Sequence, residues 1–263
     1  MPIITKISTQ KNTKDRYNIF LDEKFAFGVD EEVLIRFDLR KGKELSELDL
    51  IQIQHEDEIR KAFNAAIQFL SYRMRSEQEV RTYLKKKEWD EPVVEAVVQK
   101  LYERKYLDDK EFACAYVRTQ INGGKKGPNI ISQELKEKGI SSIHIEYALE
   151  EYKVDQQIEH AINLGNKVVK QNQKHSQRIL KQKIEQFLLT KGFSFDIISI
   201  ALEEVKYEKD EADEWQALRA QADKLQRKYR AFEGFEYEQK MKQALFRKGF
   251  TIELIDRYLS ENE

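Results

Sequence analysis

The side chains able to do chemistry in this sequence are few and scattered. Its four histidines, His55, His144, His160 and His175, stand far apart with neither H-x-x-x-H nor H-E-x-x-H spacing, so no metal-ligand pattern is present. The single cysteine, Cys114, sits in Phe112-Ala-Cys-Ala-Tyr116 beside an apolar stripe, where a packing role outweighs that of a nucleophile. One cysteine also excludes a disulfide framework and a cysteine-based zinc cluster. Asn122-Gly-Gly-Lys-Lys-Gly-Pro128 has the glycines and lysines of a phosphate-binding loop. It lacks G-x-x-x-x-G-K-[ST] and follows a predicted helix instead of a strand, which leaves an interhelical loop or a flexible basic loop against a phosphate backbone. Carboxylates abound on predicted exposed faces, with no pair standing out as general acid and base. No catalytic site, metal or cofactor is expected, and the chain reads as a non-enzyme.

Basic stretches are the stronger signal. Residues 73–87, with Arg73, Arg75, Arg81, Lys85, Lys86 and Lys87, carry a net +4. Residues 118–138, with Arg118, Lys125, Lys126, Lys136 and Lys138, carry +3. Residues 167–191 include Lys174, Arg178, Lys181, Lys183 and Lys191 and carry +6; residues 224–248 include Lys240, Lys242, Arg247 and Lys248 and carry +5. Together these stretches hold +18, so the rest of a chain of net charge −1 holds −19. Positive charge gathered in this way suits a polyanion or an acidic filament surface. The competing reading is a set of solvated helix faces with compensating acids nearby in space.

The elements that must position these charges follow from periodicity. Of 263 residues, 35% are charged and 40% apolar, which fits thin, surface-rich units better than one thick core. Three β-branched or aromatic runs, Ile3–Ile7, Tyr17–Leu21 and Phe25–Val29, joined by polar Lys11–Asp15 and Asp22-Glu23, predict a small antiparallel meander. A short helix at Glu31–Phe37 and a long one from Ser46 toward Arg73 come next. Helical periodicity then continues: Ile59, Phe63, Ile67 and Leu70 form one stripe, and leading helices are expected near 56–73, 109–122, 155–171 and 209–229. Ser76-x-x-Glu79 and Asp108-x-x-Glu111 read as capping boxes. Pro92 and Pro128 stand where helices should begin. The opening Met-Pro-Ile-Ile-Thr-Lys lacks a signal-peptide pattern and no window approaches a membrane span, so a soluble cytoplasmic protein without a membrane partner is expected.

An internal repeat organises the helical region. Leu84, Leu135, Leu188 and Leu245 serve as anchors, 51, 53 and 57 residues apart. Three positions on stand Lys87, Lys138, Lys191 and Lys248; next come Glu88, Gly139, Gly192 and Gly249, then Trp89, Ile140, Phe193 and Phe250. Val94, Ile145, Ile198 and Ile255, then Val98, Leu149, Leu202 and Leu259, follow ten and fourteen after the anchors; Val80, Ile131, Ile184 and Met241 precede them by four. Each copy reads as helix, Leu-x-x-Lys-Gly-apolar, helix, with the glycine in the left-handed conformation that ends a helix. Glu88 in the first glycine slot implies a different turn or a strained one. The predicted architecture is mainly α: an N-terminal meander (1–54) and four stacked three-helix repeats (55–104, 105–153, 154–206, 207–263) in an elongated, curved solenoid. Each basic stretch contains the middle helix of one repeat.

These columns carry a family resemblance. Tyr106-Leu-Asp-Asp109, Phe112-Ala-x-x-Tyr116, Gly127, Ile131 and Glu134-Leu-Lys-Glu-Lys-Gly-Ile140 resemble the central signature of the RecX family. Arg75-Ser-Glu-x-Glu-Val80 and Leu84 are similar to its upstream motif, and the likeness is strongest over residues 60–152. It implies a monomeric, non-catalytic regulator of the RecA recombinase in recombination, DNA repair and the SOS response, mainly an inhibitor. Such proteins lie in the groove of the RecA–DNA filament and dampen ATP hydrolysis and strand exchange. The basic residues above are then candidates for contact with RecA or with DNA in the filament. Two rival readings stay open: a nucleic-acid binder acting without RecA, and a DNA-processing hydrolase.

Overall fold

The computed structural model describes residues 1–10 and 15–261. Three strands, β1 Ile4–Thr9, β2 Arg16–Leu21 and β3 Lys24–Asp30, form an antiparallel meander in sequence order. The connection expected at Lys11–Asp15 lies, apart from Asp15, outside the described residues. The Asp22-Glu23 turn has both residues at positive φ, 47° and 68°, the handedness that tight hairpins require.

Among the described residues a short helix, α1 Glu31–Arg36, precedes twelve helices that fall into triples. The first triple is α2 Glu47–Leu70, α3 Glu77–Lys86 and α4 Glu91–Glu103. The second is α5 Asp109–Gly123, α6 Pro128–Glu137 and α7 Ser142–Leu149. The third is α8 Val154–Gln171, α9 Gln177–Thr190 and α10 Phe195–Glu204; the fourth is α11 Glu211–Tyr229, α12 Gly234–Arg247 and α13 Ile252–Ser260. The chain is thus mainly α with an N-terminal β meander. Two compact units divide it: Met1–Ala113 with Glu137–His144, and Cys114–Lys136 with the residues from Ile145 on.

In the first unit, α2 serves two cores. Ser46 and Asp49 make a complete capping box at its start, and Ile53 packs with Ile4, Ile19 and Val29 of the meander and Val33 of α1. Further along, Ile59, Phe63 and Ala66 join Val80, Leu84, Val94 and Leu101 of the first triple. α2 runs unbroken through residues 54 and 55 and stops at Leu70, three residues short of the expected Arg73. Between the two cores lies a polar seam. The buried Asp57 carboxylate accepts from the Asp30 N–H (2.9 Å) and from Arg16 (2.8 Å), and Lys61 approaches it at 2.9 Å. Asp30 in turn caps α1 and meets Arg60 at 3.1 Å. Burial raises the Asp57 carboxyl pKa, but Arg16, Lys61 and the Asp30 N–H outweigh it and hold the group below the ordinary carboxylate value.

The second unit contains the third and fourth triples. One core gathers Leu164, Ile184, Leu188, Phe193 and Ile198; the other gathers Leu218, Leu225, Met241, Leu245, Phe250 and Ile255. The repeat columns are these cores: all four anchor leucines, and the four apolar residues one turn before them, are 0% exposed. Each anchor carbonyl is within the turn that follows, accepting from Trp89, Phe193 and Phe250 N–H groups at 3.2–3.4 Å in the first, third and fourth triples. Gly139, Gly192 and Gly249 have φ of 80°, 86° and 85°, and Glu88 adopts 65°. The first turn therefore ends like the others, and Glu88 bears the strain of a left-handed backbone.

Candidate nucleic-acid interface

The Lys-Gly turn does more than end a helix. Each such turn in triples two to four sits on the start of the preceding triple's middle helix. A Cβ added to Gly139 would lie 2.6 Å from Gln78, one at Gly192 2.6 Å from the Ile130 nitrogen, and one at Gly249 2.6 Å from Ser176 Oγ. Backbone or side-chain hydrogen bonds fasten two of these junctions: Gly127 N–H to Lys191 O (2.7 Å) and Asn129 N–H to Gly192 O (3.1 Å), and Ser176 Oγ to Lys248 O (2.6 Å). Acids from the following triple also cap the middle helix of the one before. Asp109 accepts from the Glu77 N–H at 2.8 Å, and Glu214 from the Gln177 N–H at 3.1 and 3.2 Å. Burial raises the pKa of both carboxyls. Glu88 has no earlier triple to dock against, which is why a side chain is tolerated in that slot.

This register places the candidate basic residues in four different electrostatic settings. In the first triple most of them are matched. Arg73 pairs with Glu79 at 3.0 Å, Arg81 meets Glu77 and Glu95 at 2.6 and 2.8 Å, and Lys85 meets Glu91 at 2.7 Å. Lys138, from the second Lys-Gly turn, also binds Glu79, at 3.1 Å. Glu79 is raised by burial, yet Arg73 and Lys138 leave it below the ordinary carboxylate value. The Arg75 guanidinium stacks 4.1 Å over the Phe69 ring, and that ring lies 4.1 Å from Tyr83. Lys86 and Lys87 are exposed.

In the second triple Arg118 pairs with Glu151 at 2.7 Å and Lys126 with Glu134, while Lys125 and Lys136 point to solvent. In the fourth, Lys240 pairs with Glu236 at 3.4 Å and covers the Phe232 ring, and Lys242 pairs with Asp256. Arg247 donates to the Gln243 carbonyl at 3.4 Å. The third triple differs. Among the described residues, Lys174, Arg178, Lys181, Lys183 and Lys191 have no carboxylate within ion-pair distance, and neither has Lys248 at the docked turn of the fourth. Compensating acids thus neutralise much of the first stretch and parts of the second and fourth, and leave the third bare.

Sequence reasoning missed several residues of this region. The segment between α8 and α9 is held by Lys209, whose Nζ donates to the Gln173 and His175 carbonyls, and by buried Gln221, which donates to the Lys174 carbonyl at 2.6 Å. His175 is pushed below the usual imidazole range, first by burial and then by Lys183, Lys248, Lys224 and Lys209. Neither Lys209 nor Gln221 has a local sequence signal, because their partners lie 34 to 47 positions away. The remaining chemistry-bearing residues have structural surroundings. Cys114 is buried, and His160 shares a 2.7 Å hydrogen bond with Tyr152. Among the described residues no three His, Cys, Asp or Glu side chains gather as metal ligands, and no helix is long and apolar enough to cross a membrane.

Models of the RecX family match almost every part of this architecture. The regulatory protein RecX N-terminal domain matches residues 2–46, and the RecX first and second three-helix domains match 62–101 and 108–149. The RecX third three-helix domain matches twice, at 155–202 and 211–259. The chain belongs to the RecX family. The double match shows that the fourth RecX triple is built on the pattern of the third. Regulatory protein RecX of Bacillus velezensis is 51% identical and that of Bacillus subtilis 49% identical, each covering 100% of both chains. A crystal structure of regulatory protein RecX is 40% identical with a TM-score of 0.72 and covers 77% of this chain and 100% of its own. RecX from Lactobacillus salivarius is 37% identical with a TM-score of 0.55, covering 58% of this chain and 99% of its own.

Proposed function

We propose that this RecX-family chain is a non-catalytic regulator of the RecA recombinase, mainly an inhibitor, which binds along the groove of the RecA–DNA filament and dampens ATP hydrolysis and strand exchange. The observation that carries this reading is the match of RecX domains to the meander and to all four triples in order. Triples fastened turn-to-helix supply a repeated surface suited to a repeated partner. Under this reading the protein acts as a cytoplasmic monomer, and its partners are the RecA filament and the DNA within it.

The test is RecA-driven strand exchange and DNA-dependent ATP hydrolysis with added protein at several salt concentrations. Both rates should fall with added protein, more steeply at low salt. Unchanged rates at stoichiometric protein would overturn the reading. A second reading, direct nucleic-acid binding without RecA, is favoured by one observation: the unmatched cations of the third triple.

A further inference from the structure

We infer that the junction of the third and fourth triples is a docking surface for a nucleic-acid backbone, built by Lys174 in the loop between α8 and α9, Arg178 at the start of α9, Lys224 on α11 and Lys248 at the end of α12. This deepens the DNA-contact part of the proposed function and does not depend on RecA. Four separate elements converge there. The Ser176 hydroxyl holds the Lys248 carbonyl at 2.6 Å, and a Cβ on Gly249 would stand 3.3 Å from the Arg178 Cβ. Buried Gln221 donates to the Lys174 carbonyl, which sets Lys224, one turn further along α11, beside the same loop. Lys209 fixes that loop from a third side through the Gln173 and His175 carbonyls. The cations are thus carried on a braced backbone, which lowers the ordering cost of binding.

Two features point to phosphates as the partner. Lys174, Arg178 and Lys224 are exposed and Lys248 half-buried, and none has a carboxylate within ion-pair distance among the described residues. Glu214 is engaged in capping the Gln177 N–H, and Glu208 and Asp213, which line a cavity that Lys174 borders, form no ion pair with that lysine. The His175 imidazole is lowered first by burial and then by Lys183, Lys248, Lys224 and Lys209, which agrees with the gathering of these cations around one loop. The second feature is the little apolar surface beside three of the four cations: no exposed large apolar side chain falls within residues 172–183 or 219–228, while Phe246 and Ile252 stand exposed near Lys248. An acidic protein surface would bring an interface with an apolar core and interleaved charges, whereas a sugar–phosphate backbone needs only spaced cations and polar donors. The cavity that Lys174 borders, of about 450 Å³, has a mixed charged lining, Lys206 and Lys209 with Glu208 and Asp213.

The experiment measures binding of the full chain to a labelled single-stranded oligonucleotide, with RecA absent, across a salt series. Each cation removed from a single-strand contact should flatten the log–log salt slope by about 0.7. The variant Lys174→Gln/Arg178→Gln/Lys224→Gln should therefore lose about 100-fold in affinity near 0.1 M salt and flatten the slope by about 2. The control Arg36→Gln/Arg104→Gln/Arg257→Gln removes the same charge from ion-paired positions outside the candidate set and should lose less than about 3-fold; circular dichroism checks that both fold. Equal losses in the two variants, or no loss in the first, overturn the inference. Oligonucleotide binding by the wild type only when RecA is added also overturns it, and assigns the surface to an acidic protein partner. RecA regulation fails separately, by unchanged RecA ATP hydrolysis with oligonucleotide binding intact.

Discussion

Replacing Gly192 with alanine should pry the third Lys-Gly turn off the helix beneath it. Gly192 has φ +86°, and the left-handed backbone costs an alanine about 1–2 kcal/mol. The new Cβ would lie 2.6 Å from the Ile130 nitrogen, a backbone atom that cannot rotate away. Relieving that overlap separates the turn from α6 and breaks the hydrogen bonds from Gly127 to Lys191 (2.7 Å) and from Asn129 to Gly192 (3.1 Å). At about 1 kcal/mol each, these bring the expected loss to roughly 3–4 kcal/mol. Glu88→Gly is the matched opposite. It removes the strain at φ 65° without touching a docked helix, and after the greater backbone entropy of glycine it should gain up to about 1 kcal/mol. Urea unfolding of both full-length variants, followed by far-UV circular dichroism, reads the two signs; the first transition is compared, since repeat arrays can unfold in steps. A Gly192→Ala protein within about 1 kcal/mol of wild type would refute the docking argument, as would a Glu88→Gly protein destabilised to the same degree.

Asp57→Ala should cost about 3 kcal/mol, because it strands Arg16 and the Asp30 N–H in the seam that joins the meander to α2; a urea midpoint near that of wild type would contradict it. The folded Asp57 pKa lies below the ordinary carboxylate value, so the native state binds fewer protons than the unfolded one in acid. Its stabilisation should be fully present above about pH 5 and drain away as pH falls through the folded value. Asp109 has the opposite sign: burial raises its pKa, so wild-type stability should gain as pH falls through that raised value. Asp109→Asn keeps an acceptor for the Glu77 N–H, so it should match or exceed wild type at pH 7 and lose the advantage in acid; a variant weaker at pH 7 counts against this account. The His175 imidazole should titrate below 6.5 by NMR, and Lys224→Gln/Lys248→Gln should move it upward; an unmoved midpoint would deny the clustering of those charges.

Much of the fold was legible because its determinants are local. The Leu-x-x-Lys-Gly-apolar columns identified the buried anchors Leu84, Leu135, Leu188 and Leu245, and Ser46 and Ser76 marked two helix starts through hydrogen bonds spanning three residues. The strain at Glu88 was visible as a missing glycine. Its tolerance was not, since that depends on there being no earlier triple to dock against it. The candidate site was harder to read. Summing charge along a stretch treated Arg81 and Arg178 alike, yet Arg81 lies among Glu77, Glu91 and Glu95 while Arg178 faces no acid among the described residues.

By itself the sequence determined the meander, the helices, their fourfold repetition and the phase of the basic stretches within it. These rest on periodicities of two and 3.6 residues and on caps within one turn. Only the tertiary structure decided which cations stay unmatched. Ion pairs such as Lys138 with Glu79, and the braces from Lys209 and Gln221 to the loop around His175, join residues 34 to 59 positions apart. Charge compensation depends on distance in space, falling with separation and with exposure to water, and no local pattern of residues encodes it.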